Sequence, residues 1–132
     1  MNSSAEDIAT ILETSSAGTG LTVGTDLFVS REPDTPDAVV SVFDTGGGEP
    51  SSGIERYDFP TVQVRVRGDK MDYENAYVTM ESIKTALHKY ANQTVNGTKY
   101  IAIWASSDIF SLGYDENDRP LLTLNFRIHR TA

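Results

Sequence analysis

Cysteine is absent from this 132-residue sequence. That excludes a disulfide framework, a thiol nucleophile and a thiolate metal site. Basic residues are scarce: 11 Lys and Arg against 19 Asp and Glu leave a formal net charge of -8. Proteins that wrap nucleic acid present a basic face. Here basic side chains come only in short spots such as Arg65/Arg67 and Arg127/Arg130. General nucleic-acid affinity is not expected, though a wall past which nucleic acid slides suits an acidic surface. No apolar run approaches the roughly 18 residues of a membrane span, so no membrane association is expected. The opening stretch MNSSAEDIATILE has neither a basic region nor an apolar core, so no export signal and a soluble chain are expected.

Hydrophobic residues make up 39% of the chain, enough for one core in one domain over residues 1–132. Ser3 or Ser4 can cap a first helix, with Glu6 or Asp7 three residues on and Ile8, Ile11 and Leu12 as its apolar stripe. The helix is expected to stop at SSAGTG, with Gly18 as a left-handed cap. TDLFVS (25–30) reads as a short strand and AVVSVFD (38–44) as a stronger one. GGGEPSSG (46–53) reads as a mobile loop. FPTVQVRVRG (59–68) alternates, with Val62, Val64 and Val66 inward and Thr61, Gln63, Arg65 and Arg67 outward. A second helix is expected from Asp69 or Asp72 to about Ala91, with Tyr73, Ala76, Tyr77, Met80, Ile83, Leu87 and Tyr90 on its buried stripe. KYIAIWAS (99–106) and LLTLNFRIHR (121–130) complete the strands. The fold class is α+β: an antiparallel or mixed sheet, a short N-terminal helix, and one long central helix packed on one face.

Chemical motifs are weak. SLGYDENDRP (111–120) crowds Asp115, Glu116, Asp118 and Arg119 together. A calcium loop starting at Asp115 needs an oxygen ligand fifth, glycine sixth and Glu twelfth; the chain supplies Arg119, Pro120 and Phe126. The stretch therefore reads as an acidic loop between strands. Arg119 would clamp it to its own acids or reach a neighbour, and Pro120 would start the last strand without a donor. GGGEPSSG lacks the Lys-Ser/Thr close of a phosphate loop, and GTGLTVG lacks the strand and spacing of a dinucleotide site. His88 and His129 stand apart in sequence, so a metal site is not expected. Trp104 sits in an apolar strand and reads as core, and the helix tyrosines as packing. Asp44-Thr45-Gly46 after an apolar run resembles the catalytic triplet of aspartic proteases, in which two such Asp share a proton. A chain this short would have to dimerise to use it. Gly47 and a glycine-rich stretch then follow where those enzymes continue in a sheet. Asp44 otherwise reads as a turn residue at the end of its strand.

Three stretches, in order, resemble the tail-terminator proteins of long-tailed bacteriophages, also called tail-completion or minor capsid proteins. The first is GLTVGTDLFVSREPDTPDAVVSVFDTGG after a short helix. The second is FPTVQVRVRGDKMDYENAYVTMESIKTALH, a strand with arginines feeding a helix. The third is SLGYDENDRPLLTLNFRIHR. The resemblance implies helices packed on an antiparallel sheet, and a hexameric ring that caps the finished tail tube. Such a ring ends polymerisation and offers a surface to the head-connector (neck) protein. It implies a virion protein at the tail–neck junction, assembled in the host cytoplasm, with DNA passing the lumen without specific binding. It implies no catalytic residue, metal or cofactor. Arg65, Arg67, Asp115, Glu116, Asp118 and Arg119 become candidate subunit or tail/neck contacts, with Arg65 and Arg67 facing acids of a neighbour. Loops 46–53 and 111–119 would project toward tube, lumen or neck. Two other readings stay open: a dimeric aspartic-protease-like enzyme using Asp44, and a small protein- or glycan-binding module.

Overall fold

A computed structural model describes residues 1–14 and 20–132. The expected Gly18 cap lies outside the described residues. Helix α1 spans Ser4–Thr14. A reciprocal cap starts it: Ser3 Oγ accepts from the Glu6 N–H and the Glu6 carboxylate accepts from the Ser3 N–H, both at 3.2 Å. Ala5, Ile8, Ala9, Ile11 and Leu12 then share its buried face.

Among the described residues eight strands follow: β1 (Leu27–Val29), β2 (Val39–Gly47), β3 (Tyr57–Asp58), β4 (Pro60–Arg67), β5 (Tyr90–Val95), β6 (Thr98–Ala105), β7 (Phe110–Tyr114) and β8 (Pro120–Thr131). Helix α2 (Tyr73–Leu87) lies between β4 and β5. The sheet runs β1-β2-β4-β8-β6-β5, with β3 and β7 also pairing with β8. Only β1 and β2 run parallel, so the sheet is mixed. β8 is its spine. β4 flanks one side, and β7 and β6 take successive halves of the other. Period-two alternation sends Val62, Val64, Val66, Leu122, Leu124, Phe126 and Ile128 to one face. They share one core with Ile8, Leu12, Met80, Ile83 and Leu87 of both helices. The α+β class is thus as the sequence predicts.

Several boundaries differ. α2 has 15 residues and is about 22 Å long at 1.5 Å per residue. It ends at Leu87 rather than near Ala91: His88 turns to extended backbone and Lys89 adopts φ 67°. The Lys89 N–H then reaches Ile103 O (2.8 Å), and Tyr90 opens β5 instead of extending the helical stripe. Asn96 and Gly97, both left-handed at φ 49° and 82°, make the tight turn between β5 and β6. β2 continues past Asp44 to Gly47 through a bulge, taking the first two residues of the expected 46–53 loop. A side chain at Gly47 would put its Cβ 2.3 Å from Phe59 O, so the strands could not approach there with any other residue. Trp104 alternates outward and is exposed, not core.

Candidate functional site

The six candidate residues divide by burial. Arg67 points to the face opposite the helices, as alternation predicts, yet it is 4% exposed. The segment between β1 and β2 lies over it. Its Nη2 donates to Pro33 O (2.6 Å) and Pro36 O (2.8 Å), its Nε to Asp37 O (2.8 Å), and Glu32 stands 3.6 Å from Nη1. Arg119 holds the same segment from the 115–119 loop. It donates to Asp34 O (2.8 Å), to the Asp34 carboxylate (3.0 Å) and to the Asp37 carboxylate (3.3 Å). Its Nε bonds Asp115 Oδ2 at 2.8 Å. The expected clamp of Arg119 onto its own loop is therefore present, and it extends to a second loop.

Electrostatics follow from these contacts. Burial lowers the Arg67 pKa, helped by the nearby Arg119 charge, against the pull of Glu32. For Arg119, burial also works downward, but hydrogen bonds to Asp115 and Asp34 outweigh it and raise the pKa. Burial works to raise the Asp115 carboxyl. Bonds from the Arg119 main chain and guanidinium and from the Asn117 N–H outweigh it and hold Asp115 below the ordinary carboxylate range.

The other candidates are freer. Arg65 is about one-third exposed, with Nε 3.1 Å from Glu32 Oε2, an ion-pair distance without hydrogen-bond alignment. Glu116 and Asp118 are exposed at the tip of the β7–β8 hairpin. Within this chain Arg65 and Arg67 meet Glu32, not the acids of 115–118. Asp44 is not a turn residue: it lies in β2, and its Oδ1 accepts the Ala5 N–H (2.9 Å) at the start of α1. That contact seats the helix on the sheet, and no second Asp-Thr-Gly exists in the chain. Among the described residues, no three His, Asp or Glu converge as a metal site.

Sequence reasoning missed two features. The first is a buried polar group under α1. Asp7 is fully buried and accepts from the Tyr100 hydroxyl and from Asn96 Nδ2 (2.8 Å), with Arg130 Nη1 3.8 Å away. Burial, chiefly, raises the Tyr100 pKa, so the phenol stays a donor. Asp7 at the third position past Ser4 signalled a cap, not a core anion. The second feature is the face of the sheet away from the helices, buried at Ser41 and Thr123 and exposed at Asn125, Arg127 and Trp104. Ser41, Phe43, Thr61, Gln63, Arg65, Thr123, Asn125, Arg127, His129, Ala102 and Trp104 occupy its outward positions on β2, β4, β8 and β6. None is a carboxylate; Glu32 reaches in beside Arg65 and Arg67, and Asp34 and Asp37 of the same segment pair with Arg119. Arg127 lies over the exposed Trp104 ring, 5.8 Å from its centroid. Phe59 and Tyr57 pack on His129 at 4.8 and 4.9 Å. The opposite side differs: the exposed helix positions include Glu6, Glu13, Glu74 and Glu81, with Lys84 half-exposed and paired to Asp108 at 3.0 Å.

A family model described as "Bacteriophage tail terminator protein" matches residues 16–132. The chain belongs to that family. The terminator is a structural virion protein that acts where tail and head components join, and it is not an enzyme. The protease and binding-module readings fall with that assignment. No curated protein gives a significant sequence match. The terminator's fold is similar to a chain in a solved structure of the virion of a native gene transfer agent particle. The two share 14% identity at a TM-score of 0.72, over 98% of this chain and 95% of that one. A second solved chain gives a TM-score of 0.52 at 10% identity, over 93% of this chain and 88% of that one.

Proposed function

We propose that the terminator works as a hexameric ring. The ring caps the tail tube, stops its growth and offers its far surface to the neck protein, while DNA passes its opening without specific binding. One observation supports assembly by unlike surfaces: a sheet face whose own strand positions carry no carboxylate lies opposite an acidic helix face, on a chain of net charge -8. Copies that met by like surfaces would repel. Sheet face against helix face brings Arg127 and Arg65 toward Glu74 and Glu81 of the next copy. A contact between two different surfaces is heterologous, and heterologous contacts close into rings when the rotation permits. Six copies is the number that the likeness to long-tailed phage terminators implies.

In this reading Arg65, Arg127, Glu116 and Asp118 stand at contacts between copies or with tube and neck. Arg67 and Arg119 act one step behind, by shaping the 32–37 segment beside Arg65. Native mass measurement, with and without tail tube protein, tests the ring. The expected result is six copies for the wild type and single folded copies for Arg127→Glu. A wild type that stays single on tube ends would overturn the proposal.

A further inference from the structure

Asn96 stands in the β5–β6 turn, and its carboxamide reaches under α1. Its Nδ2 donates to Asp7 Oδ1 (2.8 Å) and to Thr10 Oγ1 (3.1 Å). Asp7 is fully buried, so its oxygens depend on such donors. The other oxygen, Oδ2, takes the Tyr100 hydroxyl and faces Arg130 Nη1 at 3.8 Å. The Arg130 charge therefore lies on the side of Asp7 away from Asn96. Thr10 has one hydroxyl proton, and that proton goes to Glu6 O (3.2 Å).

The same Asn96 precedes Gly97, and it alone of the six asparagines is followed by glycine. Both residues are exposed, and a Cβ placed on Gly97 would meet nothing within 4 Å. A chain nitrogen beside no Cβ is the least hindered attacker of the preceding side-chain amide. In that reaction Gly97 N bonds to Asn96 Cγ, and the Cγ–Nδ2 bond breaks. Ammonia leaves with the Gly97 N–H proton. Water then opens the cyclic imide to a carboxylate, as aspartate or isoaspartate. Nothing is oxidised or reduced.

We infer that Asn96-Gly97 is a deamidation site and acts as a one-way latch on α1. The nitrogen that must leave is the one bonded beneath the helix, so a seated α1 slows the reaction. After conversion a carboxylate stands where Asp7 Oδ1 had a donor. Two carboxylates so close repel, and one of them is buried. α1 then loses this seat but keeps its apolar contacts and the Asp44 bond. Every contact in the latch lies within one chain, so the inference stands apart from the ring.

Peptide mass spectrometry of the full chain, held warm at neutral pH, reads the loss of ammonia at each asparagine. The expected result is conversion at Asn96 ahead of the other five, and faster still in Thr10→Val, which frees one of the two bonds on Nδ2. Earlier conversion elsewhere, or one rate in both proteins, overturns the inference. Hydrogen exchange reads the consequence for α1. In Asn96→Asp the amides of residues 8–12 should exchange about tenfold faster than in the wild type, with those of β4 and β8 unchanged. Asn96→Gly removes the bonds without adding a charge and keeps a residue suited to the turn, so its increase should be smaller. Exchange in Asn96→Asp that matches either the wild type or Asn96→Gly overturns the latch. Faster exchange in β4 and β8 as well means that the sheet, not α1, depends on Asn96, and overturns it too.

Discussion

Two guanidinium groups do most of the positioning around the 32–37 segment. Arg67 satisfies three of its carbonyls at once, a geometry that needs a planar fork. Arg67→Ala should therefore destabilise the fold by about 1–3 kcal/mol in urea titrations, and Arg67→Lys should recover little of it. Asp115 predicts a pH dependence. Its folded-state pKa is depressed, so at low pH the unfolded chain binds the proton more readily. The stability it contributes is present above the ordinary aspartate range, about 4, and is lost as pH falls through the lower folded value. Asp115→Asn should lower stability at neutral pH and flatten the loss between neutral and acid conditions, read from thermal midpoints across a pH series. Asp44 gives a third test at this scale. Because it caps α1, Asp44→Ala should cost about 0.5–2 kcal/mol, and Asp44→Asn less, since an amide oxygen still accepts the Ala5 N–H. The phase of the arginines was legible in the alternation of β4; their burial was not. Alternation tells which face a side chain leaves from, while the cover over Arg67 comes from a segment more than 30 positions away in sequence.

At the scale of elements, α2 is the one that closes the core. Asp72 caps its start, accepting the Asn75 N–H at 3.2 Å, and Met80, Ile83 and Leu87 are fully buried beneath it. Met80→Ala or Leu87→Ala should cost about 2–5 kcal/mol, whereas Lys84→Ala, which breaks only an exposed pair with Asp108, should cost well under about 1 kcal/mol. Chemical denaturation of the three variants measures the difference directly; equal losses would contradict the packing. Most elements were readable because one face of each is buried, which imprints the periodicity. The end of α2 was not. Tyr90 follows Leu87 at helical spacing and imitates another turn, so the stripe alone extends the helix. The better signal was Asn96-Gly97, a dipeptide that favours a two-residue hairpin, between two short runs. β7 was hidden for a related reason. With every residue exposed it has no buried face, and hence no alternation to read.

For the whole molecule, the governing fact is a net charge of -8 divided unevenly over two faces. Self-association must overcome general repulsion and draw on local attraction, and the two respond oppositely to salt. Raising ionic strength from about 0.1 M to about 1 M shortens the screening length from about 10 Å to about 3 Å. Repulsion between whole subunits is long-ranged and is screened early in that series; contact pairs such as Arg127 with a helix carboxylate are screened late. The proposed ring should therefore tighten over the first part of the series and loosen over the second. Arg127→Glu removes the local attraction and adds a carboxylate to the sheet face, so this variant should tighten throughout without reaching the wild-type maximum. Light scattering at fixed protein concentration across the series reads both curves. A wild type and variant that follow one curve would mean that the sheet face takes no part in the contact between copies.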